Sequence, residues 1–308
     1  MENAMFCKGI SAIMIEKTKG RMAFMKYLIV FGTASLSAMK MSCQSAFGKK
    51  GVKTNADGVF FNMLIFLFAA LLFLPYLFSA KPIVFLYGMA YSVCNVSFQL
   101  FYMRALSSGN VSVAVMFANF GMLVPIALSC VLYGDRPSAL RIVGIALTVL
   151  AFLVTVKRGA GKGERTYLVF ALLSMLMNGA SLSVQKLYGK AGIGGGSFSF
   201  VAVSYLCCAL LSAAVYAVLA LHGQKKTFRV TKFPIFAAMG AGAALACYLA
   251  LNTYAARVID GSFHYPAHSG GAILLSTLAG VLLFRDKLSR RQIAACTLGL
   301  VAIVLMNF

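Results

Sequence analysis

Four polar side chains share one face of an otherwise apolar segment near the amino terminus: Thr33, Ser37, Lys40 and Gln44, at steps of four, three and four. That spacing stacks them on one side of an α-helix. Together they could bind an anion or zwitterion, with the ammonium attracting a carboxylate or phosphate and the hydroxyls and amide orienting it. Lys40 stands seven residues from the expected end of its helix, about 10 Å. Its stem permits snorkelling to the interface over that distance, so a cavity cation and a membrane anchor both fit. Lys186, Arg104 and Arg257 lie nearer the ends of apolar segments and read as anchors.

Other polar groups sit deep in apolar surroundings. Ser92, Asn95, Gln99 and Tyr102 recur at steps of three, four and three and form a second one-sided face. Asn119 and Asn252 are single deep amides, for which interhelical hydrogen bonding is the alternative to solute contact. His264 and His268, four apart, share a face. No third ligand or carboxylate accompanies them, so a satisfied buried polar role and substrate or proton contact both fit better than a metal site, with His268, the deeper, the better contact candidate. All cysteines except Cys7 lie within apolar segments without a CxxC or Cys/His pattern, and read as small buried hydrophobes. Neither cofactor nor metal is expected, and no nucleotide-binding or hydrolase fingerprint occurs in a usable context.

The polar face recurs. At an offset of 141, Thr33, Ser37, Lys40 and Gln44 fall on Ser174, Asn178, Ser181 and Gln185. The same offset pairs Phe47 with Tyr188, Gly48 with Gly189, Lys49 with Lys190 and Gly51 with Gly192. A second correspondence, Tyr133 to Ser138 against Phe284 to Ser289, has an offset of 151. It carries Asp135 and Asp286 at matching junctions, where helix capping is the natural role.

These residues must be positioned by membrane helices. The hydrophobic fraction is 61%, charged residues are 11% and the chain has seven acids; mean hydropathy is +0.87. A soluble chain carries about 25% charged residues. Ten apolar spans fit: 26–47, 58–79, 82–103, 111–133, 138–156, 167–187, 197–221, 233–256, 262–284 and 290–307. The N-terminal 25 residues lack a signal peptide's apolar core and read as a tail, with Met22 and Met25 as alternative starts. The net charge of +21 sits at the ends of spans, facing anionic headgroups, and nucleic acid is not expected as a partner. The runs Gly240-Ala-Gly-Ala-Ala and Gly270-Gly-Ala read as packing surfaces.

Five spans per repeat is odd, so the second repeat enters the membrane from the opposite side. Inverted repeats of this kind recur in secondary transporters, with the site between them. Ten spans, a five-plus-five duplication and an acidic residue with Ser closing spans 4 and 9 resemble the EamA-type drug/metabolite transporter superfamily over about residues 26–307. The junction acid is Asp in both repeats, where the family more often has Glu. The resemblance implies an all-α bundle of ten transmembrane helices and a central cavity open to one side at a time. The expected organisation is a tail (1–25), a first five-helix repeat (26–156), a linker loop (157–166) and a second repeat (167–308).

Charge and resemblance disagree on orientation. Loops after the odd-numbered spans hold 16 Lys and Arg, against 11 on the other side. The positive-inside rule then places both termini outside, and the resemblance places them in the cytosol. Both termini lie on one side in either case.

Asp57, Asp135, Glu164, Asp260 and Asp286 all fall at connections, leaving Lys40, His264 and His268 as the deep ionisable groups. An exporter of cations usually needs an intramembrane carboxylate. The expected function is therefore secondary transport, as an exporter at the plasma membrane, of neutral, zwitterionic or anionic metabolites such as amino acids. Ser37, Lys40, Gln44, Asn95, Gln99, Asn119, Asn178, Gln185, Asn252, His264 and His268 are the candidate solute contacts. A monomer suffices for that architecture. An intramembrane enzyme acting on lipid or isoprenoid, with His264, His268 and Lys40 as its only reactive set, is one alternative. A non-transporting helical interaction protein is the other.

Overall fold

A computed structural model describes residues 25–47, 51–108, 111–133, 138–155, 162–192, 196–228, 231–259, 261–284 and 290–306. The described residues are helical, without strands. The helices are α1 (25–47), α2 (Asn55–Leu72), α3 (Pro82–Ser108), α4 (Val111–Phe120), α5 (Leu123–Tyr133), α6 (Ala139–Thr155), α7 (Lys162–Lys190), α8 (Ser197–Leu221), α9 (Lys232–Val258), α10 (Gly261–Phe284) and α11 (Arg290–Met306). A 3₁₀ turn, Leu74–Ser79, joins α2 to α3. Pro75 in its first turn has no N–H to continue the α-helical ladder, so the expected span 58–79 ends as an α-helix at Leu72. Five described helices have the length and apolarity to cross a membrane: α2, α3, α7, α8 and α9.

The distribution of polarity is inside out. Phe31, Phe78, Leu86, Phe236 and Leu282 are exposed, whereas Thr33, Lys40, Gln44, Gln99, Gln185, Asn252 and His264 are buried. Water would drive the opposite arrangement. Hydrocarbon tolerates exposed phenylalanine and leucine and excludes amides and charge. The chain is an integral membrane protein.

The expected single span over 111–133 is two helices. Gly121 N–H donates to Ala118 O at 3.2 Å and Met122 N–H to Asn119 O at 3.2 Å, tightening the turn where α4 ends. Pro125 causes the break, because it has no N–H for the carbonyl of Gly121, which accepts from Val124 N–H at 3.1 Å instead.

Helices from the two ends of the chain interleave. α2 packs on α8 and α9, α3 on α7 and α8, α4 on α7 and α10, and α6 on α11. Small residues permit the closest crossings. A Cβ on Gly179 of α7 would lie 2.5 Å from Gly121 O, and one on Gly242 of α9 would lie 2.7 Å from Ile65 O of α2. One on Gly271 of α10 would lie 2.8 Å from Ala34 Cβ of α1. The two Gly/Ala runs named from the sequence thus do pack helices.

Asp57 is not in a loop. It is buried in the first turn of α2, where its carboxylate accepts from the Thr54 and Lys53 amides at 2.8 and 3.0 Å while Thr54 Oγ1 accepts from Asp57 N–H. The backbone N–H and hydroxyl of Thr227 also donate to it, pinning the segment after α8 onto the start of α2. Lys186, expected to reach the interface, is 7% exposed. Arg104 and Arg257 are exposed and lie over the rings of Phe170 and Tyr188. Asp135, Asp260, Asp286 and the tail 1–24 lie outside the described residues.

Candidate functional site

The centre of the bundle holds a cavity of about 30 Å³ lined by side chains from both ends of the chain. Ser37, Lys40 and Met41 come from α1, Phe98 from α3 and Asn119 from α4. Asn178 and Leu182 come from α7, Tyr248 from α9, and His268 and Ser269 from α10. Of the eleven residues selected from the sequence, Ser37, Lys40, Asn119, Asn178 and His268 meet here.

Lys40 is 4% exposed, and its ammonium lies 5.0 Å from the ring centre of Phe98 and 5.9 Å from that of Tyr102. Aromatic faces stabilise a desolvated cation in part. No described carboxylate pairs with Lys40. The ring of His268 stacks on Tyr248 at 5.2 Å, and its Nδ1 has no hydrogen-bond partner. Asn119 Nδ2 donates to Val115 O at 2.8 Å, within its own helix. Asn178 Nδ2 donates to Ala118 O at 2.7 Å, the carbonyl at the α4–α5 break that also accepts from Gly121 N–H. Asn178 therefore bonds across to that break and also lines the cavity.

The remaining selected residues form flanking networks. On one side, Gln44 Nε2 donates to Gln99 Oε1 at 2.9 Å and to Asn62 Oδ1 at 3.3 Å, joining α1, α2 and α3. Gln44 Oε1, Asn62 Nδ2 and Gln99 Nε2 have no partner. On the other side, Gln185 Nε2 donates to Thr253 Oγ1 at 2.9 Å and to Leu249 O at 3.3 Å. Asn252 Nδ2 donates to Gln185 Oε1 at 2.7 Å. His264 Nε2 meets Asn252 Oδ1. A backbone carbonyl can only accept, so Leu249 O fixes the orientation of Gln185, which fixes Asn252 and makes His264 Nε2 the donor. Asn95 Nδ2 lies apart, 3.7 Å from Cys208 Sγ of α8. In this conformation none of these six selected residues faces the cavity.

The hydroxyls of the duplicated face split likewise. Thr33 and Ser174 each donate to the carbonyl three residues earlier, at 2.8 and 2.7 Å, and Ser181 donates to Asn178 O. Sequence reasoning missed Phe98, Tyr248 and Ser269 as cavity walls. No periodic polar signal marks an aromatic wall, although Phe98 and Tyr102 flank Gln99 in the motif that was noticed.

Comparison with known proteins agrees with this architecture. A solved structure titled only as the crystal structure of a protein superposes with a TM-score of 0.63, covering 91% of this chain and 95% of its own, at 15% identity. At that identity the likeness concerns the fold. No curated protein matches. Residues 25–157 match the EamA-like transporter family. Buried polar residues and a lipid-facing apolar surface agree with that match, which places residues 25–157 with the EamA-like transporter family, a family of the drug/metabolite transporter superfamily.

Proposed function

We propose that this protein is a secondary transporter of small neutral, zwitterionic or anionic metabolites, with amino acids and related compounds as the leading class. It has ten spans in two inverted five-helix repeats, 26–156 and 167–308, joined by 157–166, of which residues 162–166 already belong to the start of α7. The broken α4–α5 pair counts as span 4. Under that assignment the helix packing supports a pseudo-twofold arrangement. The contact of α2 with α9 has its counterpart in that of α3 with α8, while α2–α8, α4–α10 and α6–α11 each join equivalent spans.

The observation that carries the reading is the meeting of Ser37, Lys40 and Asn119 with Asn178, His268 and Ser269 around one cavity. A solute carboxylate or phosphate pairs with Lys40, Asn178 and Ser37 orient it, and His268 takes or gives a proton as the cycle turns. At about 30 Å³ the space holds roughly two waters and no metabolite. The conformation is closed around the site, and alternating access requires the repeats to part. The direction is export across the plasma membrane.

The test is metabolite export from cells expressing wild type, Lys40→Met or Asn178→Leu at matched membrane abundance. Solutes that accumulate outside only with wild type identify the substrate class and place the cavity in the transport path. Equal export by all three would overturn the assignment.

A further inference from the structure

A second, larger cavity lies away from this site. It measures about 290 Å³ and opens between α2, α3, α7 and α8 at the end of the bundle where α2 begins and α3 and α8 end. This is close to the lower edge of the usual range for ligand pockets, ~300–1,000 Å³. Its walls are largely apolar and include Leu100, Phe170, Val215 and Leu219. Two cations, Lys53 and Arg104, line it, and among the described residues no acidic side chain does. Both are exposed, and the Arg104 guanidinium lies 5.9 Å from the ring centre of Phe170. Asp57, the nearby acid, turns its carboxylate to Thr227 and to the Lys53 and Thr54 amides.

We infer that this groove binds an anionic phospholipid, with its phosphate between Lys53 and Arg104 and an acyl chain along Leu100, Phe170, Val215 and Leu219. The occupant follows from the chemistry of the walls. A free anion gains nothing from the apolar length of the groove, and a neutral lipid gains nothing from the paired cations. An anionic amphiphile uses both, and the bilayer supplies it at high local concentration. The cations sit at the end of the groove where α2 starts and α3 ends, as the polar ends of membrane helices do, and Leu100 and Val215 lie about one turn further along α3 and α8. The site lies outside the proposed transport path, so bound lipid would bridge α2 and α3 to α7 and α8 without entering the solute cavity.

The experiment uses the full-length protein in mixed micelles, titrated with phosphatidylglycerol or phosphatidylcholine of the same acyl chains, with retention read by native mass spectrometry. A preference for phosphatidylglycerol of roughly thirtyfold is expected, about fivefold per cation. Lys53→Gln combined with Arg104→Gln should bring the preference close to one while leaving phosphatidylcholine binding unchanged. Leu219→Trp keeps both cations and fills the groove, and should weaken both lipids alike. If the double variant does not fold, Leu219→Trp and the single Lys53→Gln variant decide the matter. Glycerol 3-phosphate, which has the anion without the chains, should not displace the lipid. A wild-type preference near one would overturn the proposal, as would undiminished preference in the cation variants or undiminished binding in Leu219→Trp. Displacement by glycerol 3-phosphate would replace it with a small-anion site.

Discussion

Gln44 and Gln185 occupy the same register of two related helices and sit in different kinds of network. Gln185 is oriented by a backbone carbonyl, Leu249 O, and every later hydrogen bond in its chain, through Asn252 to His264, inherits that polarity. Gln44 touches only other amides, Asn62 and Gln99, and three amide atoms in its cluster lack partners. Turning all three amides would yield another arrangement with one shared acceptor and two donors. One network is fixed by the backbone, and the other has two orientations of comparable quality. The glutamine recurs at the same register of the two segments, and the helix crossing each makes decides how firmly it is held.

The same contrast extends to the cavity. Lys40 of α1 corresponds to Ser181 of α7, whose hydroxyl is spent on Asn178 O. The lysine of the site therefore comes from one helix, while Asn178 and His268 come from the other half of the chain.

Substitutions that erase these differences should produce graded effects. The largest is expected at the close crossing of α7 with the α4–α5 break. Ala38 stands in the first helix where Gly179 stands in the second, yet a Cβ on Gly179 would fall 2.4 Å from Val124 Cγ2 and 2.5 Å from Gly121 O. Gly179→Val should destabilise by about 3 kcal/mol or more and lower membrane abundance and the thermal unfolding midpoint. An unchanged midpoint would mean that the crossing is loose.

Gln185→Leu comes next. It strands Asn252 Nδ2 and removes the anchor that orients His264, with an expected cost of about 2 kcal/mol in the same unfolding assay. Gln44→Leu should cost about 1 kcal/mol, because its cluster already carries unmatched atoms. Equal costs would show that the two networks are equally constrained and would remove the contrast. Asp57→Asn tests a boundary rather than a core. Loss of charge on a carboxylate accepting from Lys53, Thr54 and Thr227 should cost about 1–2 kcal/mol, with proteolysis near Thr227 as the sensitive readout. The smallest effect is expected for Ser181→Ala, within about 0.5 kcal/mol and with export unchanged, since that hydroxyl closes on its own helix. Reduced export by this variant at normal abundance would place Ser181 in the solute path.

Much of this molecule was written in local pattern. Apolar runs of membrane length set the helices, because each backbone amide in hydrocarbon must bond within its own segment. The steps of four and three that placed Thr33, Ser37, Lys40 and Gln44 on one face required no tertiary information, and all four are buried. Pro75 and Pro125 were also in plain view, though reading the spans as uninterrupted apolar lengths passed over the breaks they cause.

What sequence could not decide was which polar residues face which neighbour. One helical face is broad enough to meet several helices, so Lys40 and Gln44, a turn apart, reach a central cavity and a flanking amide cluster respectively. His264 and His268 diverge in the same way, one taken by Asn252 and the other left open to the cavity. The groove beside Lys53 and Arg104 is invisible in one dimension, because Lys53 just ahead of α2 and Arg104 on α3 meet only after packing. Periodicity fixes the direction a side chain leaves its helix. Only the crossing of helices fixes what it meets there, and for a buried amide, imidazole or ammonium that partner decides between scaffold and site.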